Sequence, residues 1–214
     1  ERHGLVVTAD SQRAGRGRRN AEWLSAPGNL FMSMIVEIPD ESAAGQLAYV
    51  TGLAAVDAID RTVGIDVDLK WPNDLMLGGR KLGGILIEGG TRPGSYVVGL
   101  GINLVSAPSD VEYPAICLAD AGGVTTRDGL LAAVCNAFVL RFRAWLSTGF
   151  EGVRQDWRAR AYGLGKPLTA RLANGATERG VFTDVDEAGA LMVQRADGTG
   201  LVLSAGAVFF EETR

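Results

Sequence analysis

The chain has 214 residues, of which 47% are hydrophobic and 21% charged, and its formal net charge is −4. This composition is typical of a globular protein with a substantial core, and it excludes disorder and low-complexity sequence. No apolar run approaches the ~20 residues of a membrane span, so we expect no membrane contact and a cytoplasmic location. The 29 glycines are an unusually large number, and they indicate tight turns and backbone that approaches a ligand closely.

The rare residues exclude two further classes of site. His3 is the single histidine, which argues against a Ser/His/Asp triad. Cys117 and Cys135 are the two cysteines, and their spacing matches no zinc motif, so we interpret them as free thiols, with a disulfide as the alternative.

Over the first 162 residues the hydrophobic periodicity predicts a mixed block, in which strands come as hairpins as well as in alternation with helices. Strands are expected at 5–9, 30–37, 66–70, 75–77, 81–88 and 95–105, and helices at 42–61, 128–146 and 150–162. Ser42 is the expected cap of the first helix. Gly163-Leu-Gly-Lys-Pro167 interrupts the pattern, and four or five short strands follow it, which is typical of a small β-barrel. The prediction is an α+β fold, with helices on a mostly antiparallel sheet, in two domains over 1–163 and 164–214.

A cluster of arginines follows the first strand, in Gln12-Arg-Ala-Gly-Arg-Gly-Arg-Arg19. Arginine offers planar, permanently charged donors to carboxylates and phosphates, and glycines let the loop close on a ligand. This is not a P-loop, because the Gly-Lys-Ser/Thr ending is absent. A solvated charged loop and an RNA-binding segment remain the alternatives.

Three further motifs lie on the later strands. In Lys70-Trp-Pro-Asn-Asp74 the side chains of Asn73 and Asp74 could ligate Mg²⁺, although a simple Asx turn would also explain them. In Gly78-Gly-Arg-Lys-Leu-Gly-Gly-Ile85, Lys81 could stabilise charge in a transition state, with an exposed hairpin lysine as the alternative. Gly99-Leu-Gly-Ile-Asn103 is a weak dinucleotide fingerprint, because no helix follows it, and close packing against a ligand suits it better.

In this order, the Arg/Gly loop, KWPND, GRKLGG and GLGIN resemble the catalytic domain of the biotin protein ligases, and the small barrel resembles that family's SH3-like C-terminal domain. The resemblance covers essentially the whole chain. It implies a class II aminoacyl-tRNA synthetase-like catalytic fold. It also implies a two-step reaction, in which biotin and ATP give biotinyl-5′-AMP and a lysine of a biotin carboxyl carrier protein then takes the biotin. ATP, Mg²⁺ and biotin are the small molecules expected, with no tightly bound cofactor.

The resemblance also implies roles for particular residues. The expected catalytic residues are Lys81 and Arg18. The expected biotin contacts are Gln12, Gly15, Arg16, Gly17, Arg18, Lys81, Gly84 and Gly99. The expected ATP contacts are Arg16, Trp23, Asn73 and Asn103, with Trp23 packing on adenine. Asn73 and Asp74 are the expected oxygen donors for Mg²⁺.

Two departures from the family pattern stand out. No Ser-Thr-Asn segment precedes Glu1, so we expect a chain shortened at its N-terminus. Asn20-Ala21 follows Arg19 where the family continues with Gly-Arg, which removes one cation.

No winged helix is visible, so no DNA binding is expected, and a homodimer remains an open possibility. The alternatives are a lipoate ligase or octanoyltransferase of the same fold, and a nucleic-acid-binding module built on the arginine loop.

Overall fold

The computed structural model describes residues 2–18, 21–109, 111, 113–172 and 175–210. Arg19 and Asn20, where the loop departs from the family pattern, and Asn174, in an expected turn, lie outside these residues. The first part of the chain forms β1 (Val6–Ala9), β2 (Leu30–Glu37), α1 (Leu47–Val63), β3 (Asp68–Lys70), β4 (Asp74–Leu77), β5 (Arg80–Gly89), β6 (Ser95–Ile102), α2 (Arg127–Thr148) and α3 (Phe150–Ala159). The second part forms β7 (Pro167–Arg171), β8 (Thr177–Val185), β9 (Leu191–Gln194), β10 (Gly200–Leu203) and β11 (Ala207–Phe210).

Within the described residues the strands form two sheets. The larger sheet has the order β1-β2-β6-β5-β4-β3, and every neighbouring pair is antiparallel. The smaller has the order β10-β9-β8-β7-β11 and is also antiparallel. The expected α+β architecture with a small second β unit is confirmed.

The main core lies between one face of the larger sheet and the helices. β2 alternates as its sequence predicts, since Leu30, Met32, Met34 and Val36 are all at most 5% exposed. α1 and α2 pack together over this face, and α1 also contacts β5 and β6. The opposite face carries Gly84 of β5 and Gly99 and Gly101 of β6, and these three glycines line a cavity.

The start of the first helix differs from the expectation. The segment Glu41–Gln46 is a 3₁₀ helix, and α1 begins only at Leu47. Asp40, rather than Ser42, caps the N-terminus of this 3₁₀ helix, because its carboxylate accepts a hydrogen bond from the backbone N–H of Ser42 at 2.9 Å. Asp and Ser are comparable caps, so composition alone did not distinguish the two positions.

α2 is long and apolar enough, by length and composition alone, to cross a membrane. Core helices pass the same test, and the buried residues of α2 all join the main core. They are Leu130, Val134, Ala137, Phe138, Phe142 and Trp145. The helix is therefore accounted for by packing within the chain.

The smaller sheet is attached to the larger unit by a shared hydrogen-bond acceptor. The backbone carbonyl of Gly189, in the turn between β8 and β9, accepts from the Tyr49 hydroxyl at 2.5 Å and from Trp71 Nε1 at 3.0 Å. Trp157 of α3 packs edge-on against Phe182 of β8, with ring centroids 6.4 Å apart. These contacts bring the smaller sheet next to the turn that contains Trp71.

Candidate active site

A cavity with a volume of about 580 Å³ lies on the glycine-rich face of the larger sheet. The arginine loop forms one wall, the β3–β4 turn a second, and β7 and β11 of the smaller sheet a third. Eleven of the twelve predicted site residues line it: Gln12, Gly15, Arg16, Gly17, Arg18, Trp23, Asn73, Asp74, Lys81, Gly84 and Gly99. Motifs separated by up to 87 positions in sequence therefore meet in one place.

Asn103 is the exception. Its side chain is 3% exposed, and its Nδ2 donates to the carbonyl of Ile116 at 3.1 Å. Its backbone N–H also donates to Leu82. The structure thus places Asn103 just after β6, beside Leu82 of β5, where it anchors the segment after β6, and not on the cavity wall where the predicted ATP contact would need it.

The arginine loop is folded back on itself by backbone hydrogen bonds. Gly17 donates to Ala21 at 2.7 Å, and Trp23 donates to Gly15 at 2.9 Å. A Cβ atom at Gly15 would lie 2.3 Å from the carbonyl oxygen of Trp23, so no larger residue fits there without a shift of the backbone. At the exposed rim, Arg16 forms an ion pair with Glu88 at 3.0 Å.

Trp23 closes the loop over the glycine-rich sheet face. A Cβ at Gly101 would lie 2.8 Å from its indole ring, and a Cβ at Gly84 would lie 3.2 Å from it. Gly101 is therefore the glycine of the GLGIN motif that makes room for the ring, a role that sequence reasoning did not assign. The indole Nε1 is buried and, among the described residues, lacks a hydrogen-bond partner. A polar ligand atom would satisfy this N–H, whose burial otherwise costs free energy.

The KWPND motif forms the tight turn between β3 and β4, with a cis Trp71–Pro72 bond. Asn73 Nδ2 donates to the Ile85 carbonyl at 2.5 Å, and Asn73 Oδ1 accepts from Arg18 Nη1 at 3.4 Å. The amide thus ties the turn to β5 and faces the arginine loop. Gly206 of the smaller sheet also accepts from Arg18, at 3.4 Å.

Lys81 and Asp74 form an ion pair inside the cavity. Lys81 Nζ lies 2.6 Å from Asp74 Oδ1, and their side chains are 28% and 19% exposed. The backbone of Lys81 is fixed as well, since its N–H donates to Pro114 and its carbonyl accepts from Ile116. A half-buried ammonium held in this way can stabilise developing negative charge without reorganising.

Asp74 and Asn73 present the oxygen types that Mg²⁺ prefers. No group of three or more acidic, His or Cys side chains occurs within the ranges that the structure describes. A single carboxylate and an amide do not make a complete cage, so these two residues fit a Mg²⁺ that is carried in by nucleotide phosphates.

Positive charge predominates on the cavity walls. Among the residues that the structure describes, five cationic side chains line the cavity, namely Arg16, Arg18, Lys70, Lys81 and Arg171. Three acidic side chains accompany them, namely Glu22, Asp74 and Glu88. This excess suits anionic ligands, and the glycine floor suits one with a flat apolar body.

Sequence reasoning missed the contributions of Lys70 and of the smaller sheet. Lys70 belongs to the KWPND motif and is 5% exposed, and burial lowers its pKa to about 8. Arg171, Gly206 and Phe209 reach the cavity from β7, the turn before β11 and β11, respectively. The burial of Lys70 could have been inferred from its apolar neighbours. No local signal marks the other three, because their position depends on how the two sheets dock.

Two family models match the chain. The Biotin/lipoate A/B protein ligase family matches residues 2–103, which defines the class, and the Biotin protein ligase C terminal domain matches residues 163–211. Among solved structures, the biotin protein ligase from Aquifex aeolicus in complex with biotin and ATP superposes with a TM-score of 0.87 at 23% identity, covering 99% of this chain and 91% of that one.

Curated relatives agree with this class. The Biotin--[acetyl-CoA-carboxylase] ligase of Paracoccus denitrificans is 38% identical, covering 95% of this chain and 89% of the relative. The Bifunctional ligase/repressor BirA of Bacillus subtilis is 34% identical over 94% of this chain, which spans 65% of that relative's length. The chain belongs to the biotin protein ligase family.

Proposed function

We propose that this chain is an ATP-dependent ligase that joins biotin to a lysine of a biotin carboxyl carrier protein. The observation that carries the proposal is the Lys81–Asp74 pair at 2.6 Å, set in one cationic cavity with Arg18 and a glycine floor. Both substrates of the first step are anions, so a site that joins them needs an excess of cations to offset their repulsion.

The proposed reaction has two balanced steps. A carboxylate oxygen of biotin attacks the α-phosphorus of ATP, and the bond to the β-phosphate oxygen breaks, which gives biotinyl-5′-AMP and pyrophosphate. The amine of the acceptor lysine then attacks the biotinyl carbonyl carbon, AMP leaves with the electron pair of the broken C–O bond, and the amine loses a proton to solvent.

In this proposal Lys81 lies between the biotin carboxylate and the α-phosphate, and Asp74 fixes the position of its ammonium. Arg18 holds the phosphate of the adenylate, while the loop carrying Gln12, Gly15, Arg16 and Gly17 closes over the ligand. Closing excludes water from an activated acyl group that would otherwise hydrolyse. Gly84 and Gly99 belong to the biotin wall. Mg²⁺ bound to the phosphates would neutralise part of their charge, with Asp74 and Asn73 as its protein-side oxygens.

The position of the adenine ring is part of the same proposal. Trp23 is the proposed aromatic partner of adenine. Its indole lies against Gly84 and Gly101, so it must present its outer face to the base or move outward when the nucleotide binds. Asn103 lies outside the cavity lining, and we therefore propose for it only an indirect role, holding the end of β6.

The proposal extends to organisation and partners. Its catalytic unit comprises residues 1–163 and its SH3-like unit residues 164–214. Its acceptor is the biotin carboxyl carrier protein of acetyl-CoA carboxylase, and its location is the cytoplasm. A homodimer is compatible with the position of β1 at one edge of the larger sheet.

Ligand-dependent melting tests the proposal directly. Biotin with MgATP should raise the melting temperature strongly, since a ligand that binds only the folded state stabilises it by mass action. Lipoate or octanoate with MgATP should not. Pyrophosphate release that depends on biotin, followed by mass-spectrometric detection of a biotinylated carrier domain, completes the test. A shift with lipoate and none with saturating biotin would replace this proposal with the lipoate ligase activity.

A further inference from the structure

Lys70 is a buried cation that the proposed reaction does not use. It is 5% exposed and lines the cavity from the end of β3. Its Nζ lies 3.7 Å from the centroid of the Tyr113 ring and 5.7 Å from that of Phe209. In the part of the chain that the structure describes, no carboxylate forms an ion pair with it, because Asp74, its cross-strand neighbour, is already paired with Lys81.

Asp74 acts on this buried positive charge electrostatically, but among the described residues no carboxylate neutralises it in an ion pair. Contact with aromatic faces offsets only part of the cost of removing an ammonium from water. A buried cation that lines a cavity is most stable when an anionic ligand occupies that cavity. The position of Lys70 is therefore one that a ligand would complete.

A second cation reaches the same corner from the smaller sheet. The Arg171 guanidinium lies 4.6 Å from the centroid of the Phe209 ring, so Lys70 and Arg171 both lie within 6 Å of one aromatic ring. Phe209 and Arg171 stand on the paired strands β11 and β7, where Ala207 is the register partner of Arg171. The corner thus forms where the two sheets meet.

We propose that Lys70 and Arg171 bind the β- and γ-phosphates of ATP and, after the first step, the released pyrophosphate. This inference rests on the proposed function, in which Lys81 and Arg18 serve the carboxylate and the α-phosphate. The remaining phosphates carry most of the charge of ATP, and they need cations beyond those two. A fork-shaped guanidinium and a compact ammonium are the two groups best suited to phosphate oxygens. The smaller sheet then supplies part of the nucleotide site.

The test uses inorganic pyrophosphate with Mg²⁺ as the probe, measured by titration calorimetry on the whole chain. Lys70→Met keeps an unbranched apolar stem on the aromatic rings and removes the charge. We expect at least a tenfold loss of pyrophosphate affinity, a similar rise in KM for ATP, and biotin affinity within twofold of the parent chain. Arg171→Gln changes an exposed residue and should also lower pyrophosphate affinity. It keeps the inference testable if the Lys70 variant fails to fold.

The matched control is Lys166→Met. The chain has three lysines, and Lys166 also lies near an aromatic ring, 5.8 Å from the centroid of Tyr162, but outside the cavity. We expect it to bind pyrophosphate as the parent chain does. Pyrophosphate affinity within twofold of the parent in a folded Lys70→Met chain, or in Arg171→Gln, would overturn the inference.

Failure of this inference is distinguishable from failure of the proposed function. If the parent chain forms biotinyl-5′-AMP but the variants bind pyrophosphate normally, the phosphate assignment is wrong and the ligase activity stands. If the parent chain forms no adenylate but binds pyrophosphate through Lys70 and Arg171, the activity is wrong and the anion site stands.

Discussion

The buried ammonium of Lys70 makes a quantitative prediction about stability and pH. Burial lowers the pKa of Lys70 from 10.5 to about 8. Between these two values the unfolded chain binds a proton that the folded chain does not, so the free energy of unfolding rises with pH across this window. Below about pH 8 both states are protonated, and the folded state carries the full cost of the buried charge. A difference of 2.5 pH units corresponds to about 3 kcal/mol.

Replacing Lys70 with methionine removes that cost. At about pH 7 we expect Lys70→Met to be more stable than the parent chain by about 1 to 3 kcal/mol. The lower end allows for the lost cation–π contact with Tyr113. The advantage should shrink as pH rises through 8 and should have mostly disappeared above about 10.5, where the unfolded chain also loses this proton.

Urea unfolding of both proteins at about pH 7 and about pH 10 measures this difference. Subtracting the two proteins at each pH cancels the titration of tyrosines and thiols that they share. Lys166→Met, which removes an exposed lysine, should show a small difference that does not change with pH. An equal difference between Lys70→Met and the parent at both pH values would refute the assignment of a buried, depressed-pKa lysine.

Three other substitutions test the site and its frame. Lys81→Ala should lower biotin-dependent pyrophosphate release on the order of 10²- to 10³-fold with unchanged circular dichroism, and near-normal release would remove Lys81 from the mechanism. Arg18→Ala should weaken retention of biotinyl-5′-AMP more than binding of ATP, because Arg18 is proposed to hold the phosphate of the adenylate. Calorimetry with each ligand checks this order. Gly163→Ala should destabilise the chain by about 1 to 3 kcal/mol, because φ is +82° and the new Cβ would lie 2.3 Å from Phe210; an unchanged urea midpoint would contradict this expectation.

Much of the fold was accessible from sequence because its signals are local. The period-two pattern of β2 gave its bounds without error, since burial on one face repeats at every second residue. Gly78 and Gly79 marked the β4–β5 turn correctly, and their φ angles are +56° and +76°. The predicted start of α1 was wrong. Glu41–Gln46 has the sequence pattern of an α-helix but forms a 3₁₀ helix.

The candidate site also contains residues that could be predicted from sequence motifs and residues that could not. Motif residues such as Lys81 and Arg18 could be assigned to one cavity because their types and order resemble a known family. Asn103 belongs to such a motif too, but its direction depends on the position of Ile116, which periodicity does not reveal. Arg171 and Phe209 carry no motif at all. Their part in the cavity arises from the docking of two sheets, a long-range property that no short window of sequence contains.

The carbonyl of Gly189, shared by Tyr49 and Trp71, has a consequence for how this protein can be cut or recombined. One of its donors lies on α1 and the other lies in the turn that carries Asn73 and Asp74. A chain ended at residue 163 would leave both donors without this acceptor and would open one wall of the cavity. Exchanging the last 50 or so residues with those of a relative would therefore exchange part of the substrate site, and the chimera should be judged by its nucleotide affinity before its carrier preference.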